Sequence, residues 1–205
     1  MEKIKIGKWL GGGLGWALGG PLGAIIGFAI GSAFDGPDVL SYSETRKVHS
    51  GTQTTTGDFA ASLLVLSAAV MKSDGKILRS ELDYVKRFFV QQFGEVQALQ
   101  QIQLLKGILE RDIPLHKVCD QIKHFMRLSD RLQLLHYLFG ISKADGQTHP
   151  KEAETISLIA AYLGINTADF NSLKAMYFRN SDSDYRILEI SEHATDEEVK
   201  KAFLS

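Results

Sequence analysis

Cysteine is nearly missing from this chain: Cys119 stands alone, so no internal disulfide braces the fold. A reducing compartment fits that usage, as does a disulfide-free exported protein. Proline is scarce as well, with Pro21, Pro37, Pro114 and Pro150 all at breaks or helix starts, which predicts long helices and few turns. Neither sign of charge dominates. Lys+Arg total 23 against 24 for Asp+Glu, which removes any general argument for nucleic acid as a partner. Nucleophile elbow, phosphate loop and Cys/His metal cluster are absent, and His49, His116, His124, His136 and His193 are scattered without matched partners, so no enzyme is expected. No strand-like alternation bounded by turns occurs. With 205 residues the chain holds one well-buried domain plus appendages.

What the N-terminus has instead is an uncharged run of 26 residues, Trp9 to Phe34. As a helix rising ~1.5 Å per residue it is long enough to cross a hydrocarbon core of ~30 Å with tilt. Gly11, Gly15, Gly19, Gly23, Gly27 and Gly31 recur every four residues along it. In water so much glycine costs a helix roughly 1 kcal/mol per position relative to alanine. In lipid the helix is enforced, and the glycines form a smooth i±4 ridge on which a second helix can pack closely. A self-associating transmembrane helix over residues 1–35 is the reading this favours. A signal peptide, a re-entrant hairpin split at Pro21 and a soluble tail are the competing readings. Charge placement sets up a conflict, because Lys3, Lys5 and Lys8 before the run favour a cytoplasmic N-terminus and an external body.

Residues 36–57, rich in Ser, Thr and Gly, read as a flexible linker. Beyond it Asp58 is expected to cap an apolar run, Phe59 to Met71, of the kind found at the centre of a bundle. Amphipathic segments follow at about Ser80–Phe93, Val96–Glu110, Pro114–Met126 and Ser129–Ser142, the last with Leu132, Leu135, Leu138 and Phe139 at core spacing. Pro150 opens a further helix that Gly164 ends, and Thr167 caps a last one with Phe170, Leu173 and Tyr177 on one side. The fold class is all-α, a bundle of about seven helices over residues 58–180.

The body repeats itself. Lys72-Ser73-Asp74-Gly75 followed by Glu81 recurs 71 residues later as Lys143-Ala144-Asp145-Gly146 followed by Glu152, each between an apolar and an amphipathic helix. Two helical hairpins related by pseudosymmetry are implied. Asp74 to Glu81 matches the second half of a calcium-binding EF-hand loop. The first half fails, with Val70 and Lys72 where acidic ligands are needed, and Ile141 and Lys143 in the second copy. Gly75 and Gly146 suit a left-handed helix end, the aspartates suit turn amides, and the glutamates suit a first helical turn, so the motif reads as a turn brace. A site combining all four carboxylates and a partner-binding surface are the functional alternatives.

These paired motifs in a helical body of this length resemble the TerB (tellurite-resistance) domain, as found in the DjlA group of membrane-anchored DnaJ-like proteins. The resemblance implies a helical bundle with clustered acidic residues associated with a divalent metal ion. The corresponding positions here are Asp74, Glu81, Asp145 and Glu152.

At the C-terminus, Asp184-Tyr185-Arg186-Ile187-Leu188-Glu189-Ile190 precedes Ala194-Thr195-Asp196-Glu197-Glu198-Val199-Lys200-Lys201-Ala202-Phe203. Thr195 to Glu198 forms a capping box at a helix start. The string resembles the opening of a J domain, with Tyr185, Leu188, Lys200, Lys201 and Phe203 as matching positions, so residues 181–205 read as an incomplete J domain. J domains act on a DnaK-type chaperone through a later His-Pro-Asp loop, which this chain does not reach, so that partner is expected only where the J domain is complete.

The expectation is a membrane-anchored DnaJ-like co-chaperone or adaptor of the bacterial inner membrane, with a cytoplasmic body that binds a partner or metal ion. A divalent-ion or envelope-stress sensing module and a structural membrane oligomer are the alternatives.

Overall fold

The computed structural model describes residues 20–30, 56–147, 149–177, 194, 195, 198, 200 and 202. Two compact units are distinguished, Met1–Asn166 and Thr167–Ser205. Among the described residues there are helices and no strands, as the absence of alternating patterns requires.

In the first unit, helix α1 covers residues 20–30 and α2 covers Thr56–Met71. They are followed by α3 (Arg79–Phe93), α4 (Glu95–Leu109), α5 (Leu115–Phe125), α6 (Leu128–Ser142) and α7 (Pro150–Tyr162). Helix α8 (Thr167–Tyr177) opens the second unit. Phe170, Leu173 and Tyr177 are half-buried along α8.

Helix α2 is the hub. It packs against α4, α5, α6 and α7, which is why it is apolar on every side. Leu63, Leu64, Val65, Leu66, Ala68, Val70 and Met71 are fully buried, each larger side chain contributing about 1.5–3 kcal/mol by leaving water. Its two serines are satisfied inside the core. Ser62 Oγ donates to the Asp58 carbonyl at 2.8 Å, and Ser67 Oγ bonds both the Leu63 carbonyl, at 2.5 Å, and the Tyr137 hydroxyl, at 2.9 Å. The helix begins at Thr56, two residues before the cap expected at Asp58, which lies in the first turn where its charge favours the helix dipole.

Helix α6 is more deeply buried than its spacing suggests: Leu134 and Tyr137 join Leu135, Leu138 and Phe139 in the core, while Leu132 is only half-buried. The reason is packing on three sides, by α2, α3 and α7. Tyr137 lies 4.3 Å from Phe88 and 5.9 Å from Tyr84 between ring centroids, and Tyr84 rests on Gly140, where a Cβ would overlap the phenol ring.

Helix α7 ends as its Gly164 predicts. Gly164 takes φ +69°, its N–H donates to Ala161 and that of Ile165 to Ala160, a Schellman closure, and Arg131 donates to the Leu163 carbonyl.

Candidate functional site

The two Lys-x-Asp-Gly copies fold alike. Gly75 and Gly146 both adopt φ +82°, a left-handed conformation that glycine enters without strain. The Gly75 N–H donates to the Lys72 carbonyl at 3.1 Å, and that of Gly146 to Lys143 at 3.0 Å. Asp74 Oδ1 accepts the Lys76 N–H at 2.9 Å, and Asp145 Oδ1 accepts that of Gln147 at 2.9 Å. The hairpins α2–α3 and α6–α7 cross-pack in matching fashion, α2 on α7 and α3 on α6, with α2 against α6 between them. The 71-residue sequence repeat is therefore a structural pseudo-dyad.

That arrangement brings Glu81 and Glu152 together. Each occupies the third position of its helix, and they are only 2 % and 1 % exposed. Glu81 Oε2 accepts the Leu78 N–H at 2.7 Å, half of a capping box. The two carboxyl groups act on one another's ionisation. Glu81 Oε1 and Glu152 Oε2 are buried with no N–H or hydroxyl donor. Burial raises the pKa of Glu81, opposed by the Leu78 N–H. Glu152 is pushed up to about 7, by burial first and then by the Glu81 charge. Two carboxylates in one dry space cannot both ionise cheaply, so the state with one of them neutral is favoured.

Asp74 and Asp145 stand further out. Their charges act on Glu81, but each braces its own turn. Among the described residues no three His, Cys, Asp or Glu side chains are gathered into a ready-made metal shell. The arrangement is thus an inner glutamate pair with an outer pair of aspartates.

Three of the histidines have partners in the fold. His124 Nδ1 lies 2.7 Å from the Asp120 carbonyl and 3.8 Å from its carboxylate, and His116 packs edge-on to Tyr162. His149 Nε2 meets Asp145 Oδ2 at 3.1 Å, which raises the His149 pKa, while Asp145 is held low first by the Gln147 N–H and also by His149. The i,i+4 Asp-His spacing was the one available signal for that pair.

Of the glycine row, Gly23 is buried in α1 and Gly27 half-buried, while Gly11, Gly15, Gly19 and Gly31 lie outside the described residues. Of the uncharged run, residues 20–30 are described and are helical, with Gly20 at φ +58°. Among the described residues no helix is long and apolar enough to cross a membrane. Ile25 and Ile26, which a soluble tail leaves exposed, are buried. At the other terminus Tyr185, Leu188, Lys201 and Phe203 lie outside the described residues, and Lys200 is in helical conformation. The capping box is formed: Glu198 Oε2 accepts the Thr195 N–H at 2.8 Å, and Thr195 Oγ1 accepts the Glu198 N–H at 3.4 Å.

A family model described as tellurite resistance protein TerB matches residues 60–175. A second, described as the co-chaperone DjlA transmembrane domain, matches residues 3–53. No curated protein and no solved structure matches the chain.

Proposed function

Since the chain belongs to the TerB family and its N-terminus matches a DjlA-type transmembrane domain, we propose that it is a membrane-anchored adaptor of the DnaJ-like co-chaperone class whose helical body binds a divalent cation. One observation carries the cation: Glu81 and Glu152 face each other in a buried space, each with an oxygen that no donor satisfies. Their carboxylates would be the inner ligands, with Asp74 and Asp145 adding negative potential from the turns. An oxygen-only donor set favours magnesium or calcium over zinc. Each glutamate lies in the first turn of its own helix, α3 or α7, whose dipole would stabilise one residual negative charge.

In this reading the glycine row packs membrane segments of two copies together. The body faces the cytoplasm of a bacterial inner membrane, and the J-like start recruits a DnaK-type chaperone where a His-Pro-Asp loop follows. Calorimetry on the full chain in detergent, with calcium, magnesium and zinc, tests the cation. Saturable binding that Glu81→Gln abolishes is expected; no heat at millimolar metal would leave the carboxyls as a shared-proton brace. For the chaperone link, a chain extended through a complete J domain should raise the ATPase rate of its cognate DnaK, and an unchanged rate removes it.

A protein partner on the body is favoured by a separate observation. Val96 and Leu99, three residues apart on α4, are 74 % and 58 % exposed. Serine at both positions should weaken capture of that partner while leaving cation binding intact.

A further inference from the structure

On the membrane-anchored reading proposed above, on which this inference rests, residues 3–53 hold the anchor, yet part of that segment has a second place to rest. Helix α1 buries a single face, Leu22, Ile25, Ile26 and Ala29, all 7 % exposed or less and spaced i, i+3, i+4, i+7. Both ends of this helix are held by polar groups of the body. At the start, Gln121 of α5 accepts the Leu22 N–H at 2.9 Å. That amide is one of the four first-turn donors that no helix satisfies internally. Toward the end, the Arg111 guanidinium lies 3.3 Å above the centre of the Phe28 ring, in cation–π geometry. Arg111 is itself tied down, because its carbonyl accepts the Lys72 Nζ at 2.5 Å.

From this geometry we infer that the body face formed by Arg111 and Gln121 is an intramolecular seat for residues 20–30, so that the anchor exists in a docked form as well as a lipid-inserted one. The two forms exclude each other. A guanidinium over Phe28 and an amide at Leu22 are groups that the hydrocarbon core cannot supply, and a segment spanning that core leaves the seat. Gly20, at φ +58°, and Pro21, which has no N–H, precede Leu22 directly, so the Leu22 amide is where the seat matters most. In lipid the Leu22 N–H has to find its acceptor within the segment, whereas on the body Gln121 provides one. The seat thereby shelters apolar surface that would otherwise be exposed before insertion.

The test uses the full chain made by cell-free synthesis without detergent, with or without phosphatidylethanolamine–phosphatidylglycerol vesicles. Flotation measures the fraction bound to vesicles. The double variant Arg111→Ala/Gln121→Ala should raise the bound-to-free ratio at limiting lipid several-fold, and Arg111→Lys, which keeps the cation, should stay close to wild type. A folded double variant, judged by its circular dichroism, with an unchanged ratio overturns the inference. Hydrogen exchange on the wild-type chain gives an answer that does not depend on variants folding. Adding vesicles should leave residues 20–30 protected while raising exchange in the segment around Arg111 to Gln121. Protection of that segment unchanged by vesicle binding also overturns the inference.

Discussion

Replacing Glu152 by glutamine probes the buried pair most directly. In the wild type the Glu152 carboxyl is raised from an ordinary 4.5 to about 7, because its space is dry and Glu81 is already there. A folded-state pKa above the unfolded one means that the native protein holds the proton more tightly. Between pH 4.5 and about 7 the folded state therefore binds more protons than the unfolded chain, and stability falls as pH rises through that window. The full interval corresponds to about 3 kcal/mol, on the order of 10 °C in melting temperature for a domain of this size. Glu81 and His149, also raised, work in the same direction and remain in the variant, where loss of the Glu152 charge weakens the His149 shift; His149 is also solvent-screened. The substituted glutamine has no proton to lose, and its amide can donate to the Glu81 carboxylate at every pH. Thermal and urea melts of the full chain in detergent, with chelator, from pH 5 to 8 provide the assay. The wild type should lose most of this stability across the range, and Glu152→Gln should have a clearly shallower profile, with the remainder from Glu81 and His149. If the variant keeps the wild-type slope, the titrating group is elsewhere and the account of the pair is wrong. Millimolar magnesium should restore wild-type stability at pH 8 if a cation replaces the proton.

Three further outcomes follow from the packing. Gly140→Ala sets a methyl group into the Tyr84 phenol and should cost about 1–3 kcal/mol by overpacking, read from urea midpoints, with Tyr84→Leu recovering part of the loss. Gly75→Ala and Gly146→Ala meet no neighbouring atom, so each should lose only about 1 kcal/mol, from the positive φ alone; a much larger loss in thermal melts would mean that the turns carry more than local conformation. Ser67→Ala leaves the buried Tyr137 hydroxyl without its partner and should destabilise by about 1–3 kcal/mol, whereas the double variant with Tyr137→Phe should cost less than the two single changes added together, as a double-mutant cycle will measure.

The pseudo-dyad connects these observations. Each motif copy, taken singly, is a helix stop, an aspartate-braced turn and a helix start. Neither copy holds enough oxygen ligands to be a cation loop, which is why comparison with an EF-hand fails. Paired across α2 and α6, the copies bring together two buried glutamates, each in the first turn of its helix. The candidate site belongs to the relation between the hairpins, and a change that loosens the α2–α6 packing should weaken it without touching a ligand.

Local order was legible from the chain alone, because it is written in contacts a few residues apart. Glycine at positions 75, 146 and 164 set the helix ends, Pro150 set the start of α7, the apolar run to Met71 announced the central helix, and the Thr195–Glu198 pair formed its cap. The repeat also announced two related hairpins. What the sequence could not disclose was which distant groups meet. Glu81 and Glu152 are 71 residues apart, Gln121 reaches the Leu22 amide across 99, and Tyr84 finds the one residue of α6 without a side chain to obstruct it. Hydrophobic period specifies which face of a helix turns inward, but the partner across that face depends on how all the helices fill the same volume. Tertiary packing alone therefore turned four acidic positions into one buried pair and two turn braces, and gave an apolar N-terminal segment a seat on the body.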